Sequence, residues 1–344
     1  MKSQAALDIV SEKKPRSEEI DLAKGLLTIS MVFTHVVQFL GHGDSLFQFY
    51  FCTLTNVGAF PGFYFFFGFA AWRAYLGKEK TPVTAVFWTA FKCYLAFVIS
   101  GVCFLLLYSK QPFGGDLVWS VVLLQKIPGY SEFLITFAFL LVTAVACKRL
   151  IVKATNSYIP LLITSAVLIS VSFFPRDAGQ SFLPEYLWEI AHIWATGHGF
   201  VVLPFFGYFL AGAYFARHEP KIPEWVFGVS LALINIFIGL WVYGYHPSRF
   251  PVYPPWILWG IPVVYAYYWL GRFIAQRGPA PVKTYLNLVG QNVLLYLLIS
   301  NVILFTITGN KIVDGVDWQH MYIPFLVIMA TVLFLQKITV KPRA

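Results

Sequence analysis

The sequence predicts an all-α, polytopic integral membrane protein with about ten transmembrane helices and both termini cytoplasmic. Three observations carry this. Only 12% of the 344 residues are charged and 58% are hydrophobic, whereas soluble domains carry about 25% charged residues. Apolar runs close to the ~20 residues needed to span a bilayer recur along the whole chain. The connections between those runs alternate between basic and non-basic. This composition excludes a water-soluble enzyme, and the 19% aromatic content excludes a disordered or fibrous chain.

In chain order, residues 1–19 form a polar tail without the short apolar core of a signal peptide, so the first span is expected to be retained. A single membrane domain occupies 20–338, and residues 339–344 form a second tail. Within the domain the spans fall at 20–40, 51–76, 83–108, 130–147, 158–174, 198–216, 224–243, 255–271, 285–308 and 319–338. Basic residues mark the N-terminal tail (Lys13, Lys14, Arg16) and then every second connection: Lys78 and Lys80; Lys148, Arg149 and Lys153; Arg217 and Lys221; Arg272, Arg277 and Lys283. Short basic loops are retained in the cytoplasm. The net charge of +9 therefore reports orientation in a cell membrane, with the lipid bilayer as partner and no nucleic acid.

Two non-basic connections are more than turns. Residues 109–129 contain an apolar run too short to span, which predicts a re-entrant or interfacial helix. Residues 175–197 place Leu187, Ile190, Ala191 and Trp194 at helical spacing, with Glu185, Glu189 and His192 elsewhere on the turn. That pattern predicts an interfacial helix. No repeat or second domain is visible. Cys52, Cys93, Cys103 and Cys147 lie within spans and show no paired spacing, which points to buried hydrophobes and no metal site.

Polar groups inside a bilayer are costly and are functional candidates by default. The first span holds Asp21, Lys24 and, eleven residues on, His35, roughly 16 Å further along the axis at 1.5 Å per residue. Lys24 reads either as a snorkelling interfacial cation or as an anion-binding one. His35 reads either as a hydrogen-bonded packing residue or as a proton acceptor. Just beyond it, His42 and Asp44 stand two apart between glycines. Six of the seven histidines map to the outer half or beyond it. Lys92 sits deep in the third span and calls for a carboxylate or a ligand phosphate. Glu132 heads the fourth span behind Pro128 and Gly129, with Ser131 as a candidate cap. Gln291 and Asn292 are further polar groups within the ninth.

The Lys24-x10-His35 spacing in the first helix resembles the Arg-x10-His pattern of membrane acyltransferase family 3, with Lys in place of Arg. EIDLAKG resembles the opening motif of the related heparan-alpha-glucosaminide N-acetyltransferases. FPGFYFFFGFA (Phe60 to Ala70), LPFFGYFLAGAYFA, RFPVYPPW (Arg249 to Trp256) and LVGQNVLLYLL (Leu288 to Leu298) are similar to that family's later helix motifs. Where its last motif often continues to a histidine, Ser300 and Asn301 follow here.

The resemblance implies a membrane acyltransferase. It would use cytosolic acyl-CoA, commonly acetyl-CoA, as co-substrate with no bound cofactor. The acceptor would be a hydroxyl or amine of an extracytoplasmic glycan or lipid-linked sugar, and a homo-oligomer is allowed. His35 would be the base, with Glu132 or Asp44 orienting it and His42 as the second choice. Lys24 and Arg73 would hold donor phosphates, as Lys92 could. Asn292 would position substrate, and Arg249 in its proline-rich motif is a further binding candidate. Trp188, Trp194, Tyr253 and Trp256 would stack on sugar, or form an interfacial belt. The competing reading is a transporter or flippase whose path is lined by Lys92, Glu132 and His35. A structural or assembly protein would leave the outward histidines unexplained.

Overall fold

The computed structural model describes residues 16–42, 45–173, 194, 201–250, 252–313 and 315–339. The expected interfacial helix at 175–197, apart from Trp194, lies outside these, and so do Asp44, Trp188, His192 and His198.

The described chain is all-helical. Helix α1 runs Glu18–Leu40, and α2 runs Leu46–Ala71 and ends in a π-helical turn, Trp72–Leu76. Helix α3, Val83–Cys103, ends in a second π-helical turn, Phe104–Tyr108. A short α4, Gly115–Val122, follows, then α5, Glu132–Ala146, α6, Lys148–Ala154, and α7, Tyr158–Ser170. After the undescribed stretch come α8, Val202–His218, α9, Trp225–Val242, and α10, Pro254–Arg277. Helices α11, Ala280–Gln291, α12, Val293–Gly309, and α13, Tyr322–Thr339, complete the order. Among the described residues the extended pairing is a single parallel bridge, Gly41 to Val316.

Five helices are long and apolar enough to cross a membrane, and up to seven segments qualify if each bent pair is one span. The chain is a multi-pass membrane protein by that measure. That is fewer than the ten spans expected; among the described residues all ten segments contain helix, and two of them differ from a straight rod. The ninth is broken at Asn292, where α11 and α12 meet at 81°. The fourth runs on past Ala146 and turns by 83° into the basic α6. Asn292 leaves helical geometry and its side-chain amide caps back onto the Leu288 carbonyl. That local bond competes with the helical ladder. In 109–129 the expected short helix is α4. It buries Leu117 and Val121 and exposes Trp119.

Helices α1 and α2 are the centre. In their most apolar stretches 72% and 78% of residues are buried, against 11% in α9. Helix α1 packs against α2, α10, α11, α12 and α13. The peripheral helices show aromatic and aliphatic side chains outward at helical spacing, such as Leu326 and Val327 on α13. A bilayer-facing surface has this character.

The motif glycines are close-approach points. A β-carbon at Gly290 would stand 1.8 Å from the Asp21 carbonyl oxygen, and one at Gly25 would stand 2.3 Å from that of Leu286. Helices α1 and α11 thus cross backbone to backbone. The α2–α8 crossing repeats this: a β-carbon at Gly212 would lie 1.8 Å from the Phe65 carbonyl oxygen, and one at Gly68 2.1 Å from that of Phe209. Without a hydrophobic drive between helices in lipid, small residues permit the contact that holds them.

The basic connections converge on one end of the bundle. Lys148 Nζ donates to the Lys78 and Glu79 carbonyls and to Thr81. Arg217 reaches the Val152 carbonyl and Asn156 and lies over the Trp72 ring. Asn287 on α11 donates to Glu18 at the start of α1. At the far end, Val316 N–H donates to the Leu40 carbonyl at 2.8 Å and ties the end of α1 to the approach to α13.

Candidate functional site

Away from the basic end, the first helix and four distant parts of the chain bring a polar cluster together. His35 on α1 is 5% exposed, and its Nδ1 lies 2.9 Å from Oδ1 of Asn301 on α12. The Asn301 amide nitrogen donates in turn to the Tyr130 carbonyl at 3.1 Å. An amide whose nitrogen is donating presents its oxygen as acceptor. His35 Nδ1 therefore carries the hydrogen and Nε2 the lone pair. Nε2 has no hydrogen-bond partner among the described residues.

Tyr130 occupies the left-handed region at φ 61°, a conformation that costs a bulky residue ~1–2 kcal/mol. It turns the chain into the head of α5, aims its carbonyl at Asn301 and sets its ring edge-on to His35 at 5.3 Å. Backbone strain of this kind clusters at functional sites. Around it Phe39, Phe104 and Phe305 form an aromatic wall. Phe104 comes from the π-helical turn that ends α3. Single π turns inside helices recur at functional sites.

Glu132, at the first position of α5, and Arg249, between α9 and α10, complete the cluster. Arg249 is within electrostatic reach of Glu132, Tyr130 and His35. Burial lowers the pKa of its guanidinium, and the Glu132 carboxylate works against that. Ser131 holds the N-cap position, but its hydroxyl donates to Ser100 on α3 at 2.9 Å instead of capping the helix. The head of α5 is thereby pinned to α3.

Arg249 is therefore within electrostatic reach of both His35 and Glu132, and the other candidates among the described residues lie elsewhere. Lys24 pairs with Asp21 at 2.7 Å, and Asp21 also holds Arg16. Arg73 pairs with Glu219 at 3.0 Å and lies over the Phe69 ring. Asn292 is the hinge between α11 and α12. Lys92 is exposed on the flank of α3, where Trp88, Phe91 and Leu95 also face outward. His42 is exposed and its ring lies against Gly315, where a β-carbon would stand 2.4 Å from Cε1.

Trp256 is buried against Trp241, whereas Tyr253 is exposed near Phe173, and Trp194 contacts Phe139. The four cysteines are free, and among the described residues no group of three or more His, Cys, Asp or Glu side chains could hold a metal ion.

Sequence reasoning missed Asn301 and Tyr130. The signal for Asn301 was an amide in an apolar span, at the place where the resembling family often continues to histidine. For Tyr130 it was the Pro128-Gly129 break ahead of Glu132. No family model, curated protein or solved structure matches the chain.

Proposed function

We propose that the protein is a membrane-embedded acyltransferase of the cell membrane, with ten spans and both termini in the cytoplasm. It moves an acyl group, acetyl in the simplest case, from cytosolic acyl-CoA to a hydroxyl or amine of an extracytoplasmic glycan or lipid-linked sugar. The observation that carries this reading is the His35–Asn301 contact, which leaves the imidazole lone pair on Nε2, within electrostatic reach of Arg249.

In the reaction, His35 Nε2 takes the proton of the acceptor as its oxygen or nitrogen attacks the thioester carbonyl carbon. Charge collects on the carbonyl oxygen, and the Arg249 guanidinium is the group suited to stabilise it. The carbon–sulfur bond then breaks, and the imidazolium returns the proton to the thiolate. One proton has moved from acceptor to coenzyme A, and His35 is regenerated. The Glu132 carboxylate, within electrostatic reach, offsets the Arg249 charge.

Purified protein with labelled acetyl-CoA and candidate sugar acceptors tests this reading. Transfer or slow thioester hydrolysis that His35→Ala abolishes is the expected result. Wild-type rates in His35→Ala would sink it. The transporter or flippase reading has one observation in its favour, the broken α11–α12 helix, since discontinuous helices line many transport sites. Binding of coenzyme A supports the transferase, and solute movement without it supports the transporter.

A further inference from the structure

The end of the bundle opposite the basic connections carries lysines of its own. Lys110 follows the π-helical turn of α3, Lys126 follows α4 and Lys311 follows α12, and all three are exposed. Neutral amides link them into one corner. Lys110 Nζ donates to Asn310 Oδ1 at 2.9 Å, and Asn310 is the residue before Lys311. Lys126 Nζ donates to Gln111 Oε1 at 3.4 Å, and Gln111 is the residue after Lys110. A β-carbon at Gly309 would stand 1.8 Å from the Leu107 carbonyl oxygen, so the ends of α3 and α12 meet backbone to backbone.

The three turns share one shape. Each closes with an N–H that reaches back past the helix end: Gln111 to the Leu105 carbonyl, Lys126 to that of Ser120, and Ile312 to that of Ile307. Each holds a residue at positive φ, Lys110 at 55°, Leu124 at 59° and Lys311 at 51°. Glycine is the usual residue in such a helix-ending turn. Lysine occupies two of them, with a backbone strain that glycine would avoid.

Helix dipoles account for part of this charge. A helix C-terminus carries about half a negative charge, so three of them leave roughly half of the lysine charge unmatched. Among the described residues no carboxylate lies within ion-pair distance of these lysines. Asp116 heads α4 at its opposite end, and Asp317 stands beyond the Val316–Leu40 bond. On the proposed orientation the corner is exported, and lysine in a short connection opposes export. The lysines therefore stand against two costs, and a ligand anion is what would use them.

The corner adjoins the aromatic wall beside His35. Tyr108, two residues before Lys110, packs edge-on to Phe39 with ring centroids 5.4 Å apart. Lys126 lies four residues before Tyr130. Asn310 follows Asn301 by nine residues, about 14 Å along the α12 axis.

We propose that Lys110, Lys126 and Lys311 bind the carboxylate or phosphate of an anionic glycan. Ammonium groups act as point charges without the planar fork of arginine, so both anions suit the corner. That this glycan is the acceptor, with its reacting group about 14 Å from its anion, rests on the acyl-transfer reading. That the corner binds glycan anions does not.

The probes are trigalacturonate, a glycerol phosphate trimer and neutral maltotriose, titrated by calorimetry into full-length protein in phosphatidylcholine nanodiscs. The expected result is binding of trigalacturonate or the phosphate trimer, weakened by salt and absent for maltotriose. Affinity should fall about tenfold in Lys110→Gln/Lys311→Gln and hold in Lys92→Gln on the flank of α3. Lys110→Gly and Lys311→Gly separate binding from folding, because glycine relieves the backbone while removing the charge. They should weaken binding with the melting temperature unchanged or raised.

Binding of neither anionic probe, equal binding of maltotriose, or indifference to the lysine variants overturns the proposal. Loss of binding that appears only alongside a lower melting temperature reports structure alone and overturns it too. So does a lysine-dependent rise in melting temperature with phosphatidylglycerol in the nanodisc but with neither soluble probe, which marks a lipid headgroup site. In parallel, acetyl transfer to the anionic probes and to maltotriose is compared. Absence of transfer to any probe, with lysine-dependent binding intact, overturns the acyltransferase reading and leaves the corner standing.

Discussion

The Nδ1 atom of His35 and the Oδ1 atom of Asn301 are 2.9 Å apart, although 266 residues separate them in the chain. Because the Tyr130 carbonyl engages the Asn301 nitrogen, that contact settles which imidazole nitrogen can accept a proton. Asn301 thus orients the His35 ring. On the acyl-transfer reading it acts by selecting the tautomer of His35.

Removing the base and removing its orienter should differ. His35→Ala is expected to lower acyl transfer by ~10²–10⁴-fold, the range for a lost general base. Asn301→Ala leaves a buried ring N–H without an acceptor at a cost of about 1–3 kcal/mol. Asn301→Asp keeps an acceptor and should recover a good part of the activity. Melting temperature and transfer rate measured on the three variants check this. Equal activity in Asn301→Ala and wild type would remove Asn301 from the site.

The glycine crossings make a sharp contrast. Gly290→Ala and Gly212→Ala drive a methyl into facing backbone and are expected to cost at least ~2 kcal/mol. Gly228 and Gly239 on α9 have open space where a β-carbon would go. Alanine there should be neutral or stabilising by up to ~1 kcal/mol. Thermal unfolding of the four variants in one detergent is the measurement.

Lys24 and Asp21 should behave as a pair. Either single change, Lys24→Met or Asp21→Asn, leaves part of a largely buried ionic cluster uncompensated. The double variant should be more stable than the two separate losses add up to, with a coupling of roughly 0.5–3 kcal/mol. Additive losses would mean that Lys24 answers to something other than Asp21, a donor phosphate included.

Lys92 offers the opposite expectation. It faces outward from α3, so Lys92→Leu should leave transfer within about twofold of wild type. It should also ease the ~2.5–3.5 kcal/mol that a lysine costs at bilayer depth. Loss of activity in Lys92→Leu would place this side chain in the chemistry after all.

Much of the architecture was readable because helix length and apolarity are local properties. The first span could be read nearly to the residue, with 20–40 expected and Glu18–Leu40 observed. The bend at Asn292 was not readable. Apolar residues continue on both sides of it, and α11 turns away because Gly290 must meet the Asp21 backbone on another helix. In the site, His35 and Glu132 stood out as polar residues in apolar company. Their grouping with Arg249 depends on how α5 and the α9–α10 loop come to α1, which periodicity does not encode. Lys24 reads as an interfacial or anion-binding cation and Lys92 as a deep one in need of an anion. One had a carboxylate three residues away, and the other faced outward.

The Gly41–Val316 bridge reaches beyond local pairing. Helix α1 is fastened at one end by its backbone crossing with α11 and at the other by the Leu40 carbonyl bond to Val316. Both ends of the helix that carries His35 are thus held by backbone contacts, and His35 lies between the two fastenings. Among the described elements α9 is at the other extreme, packed chiefly on α10.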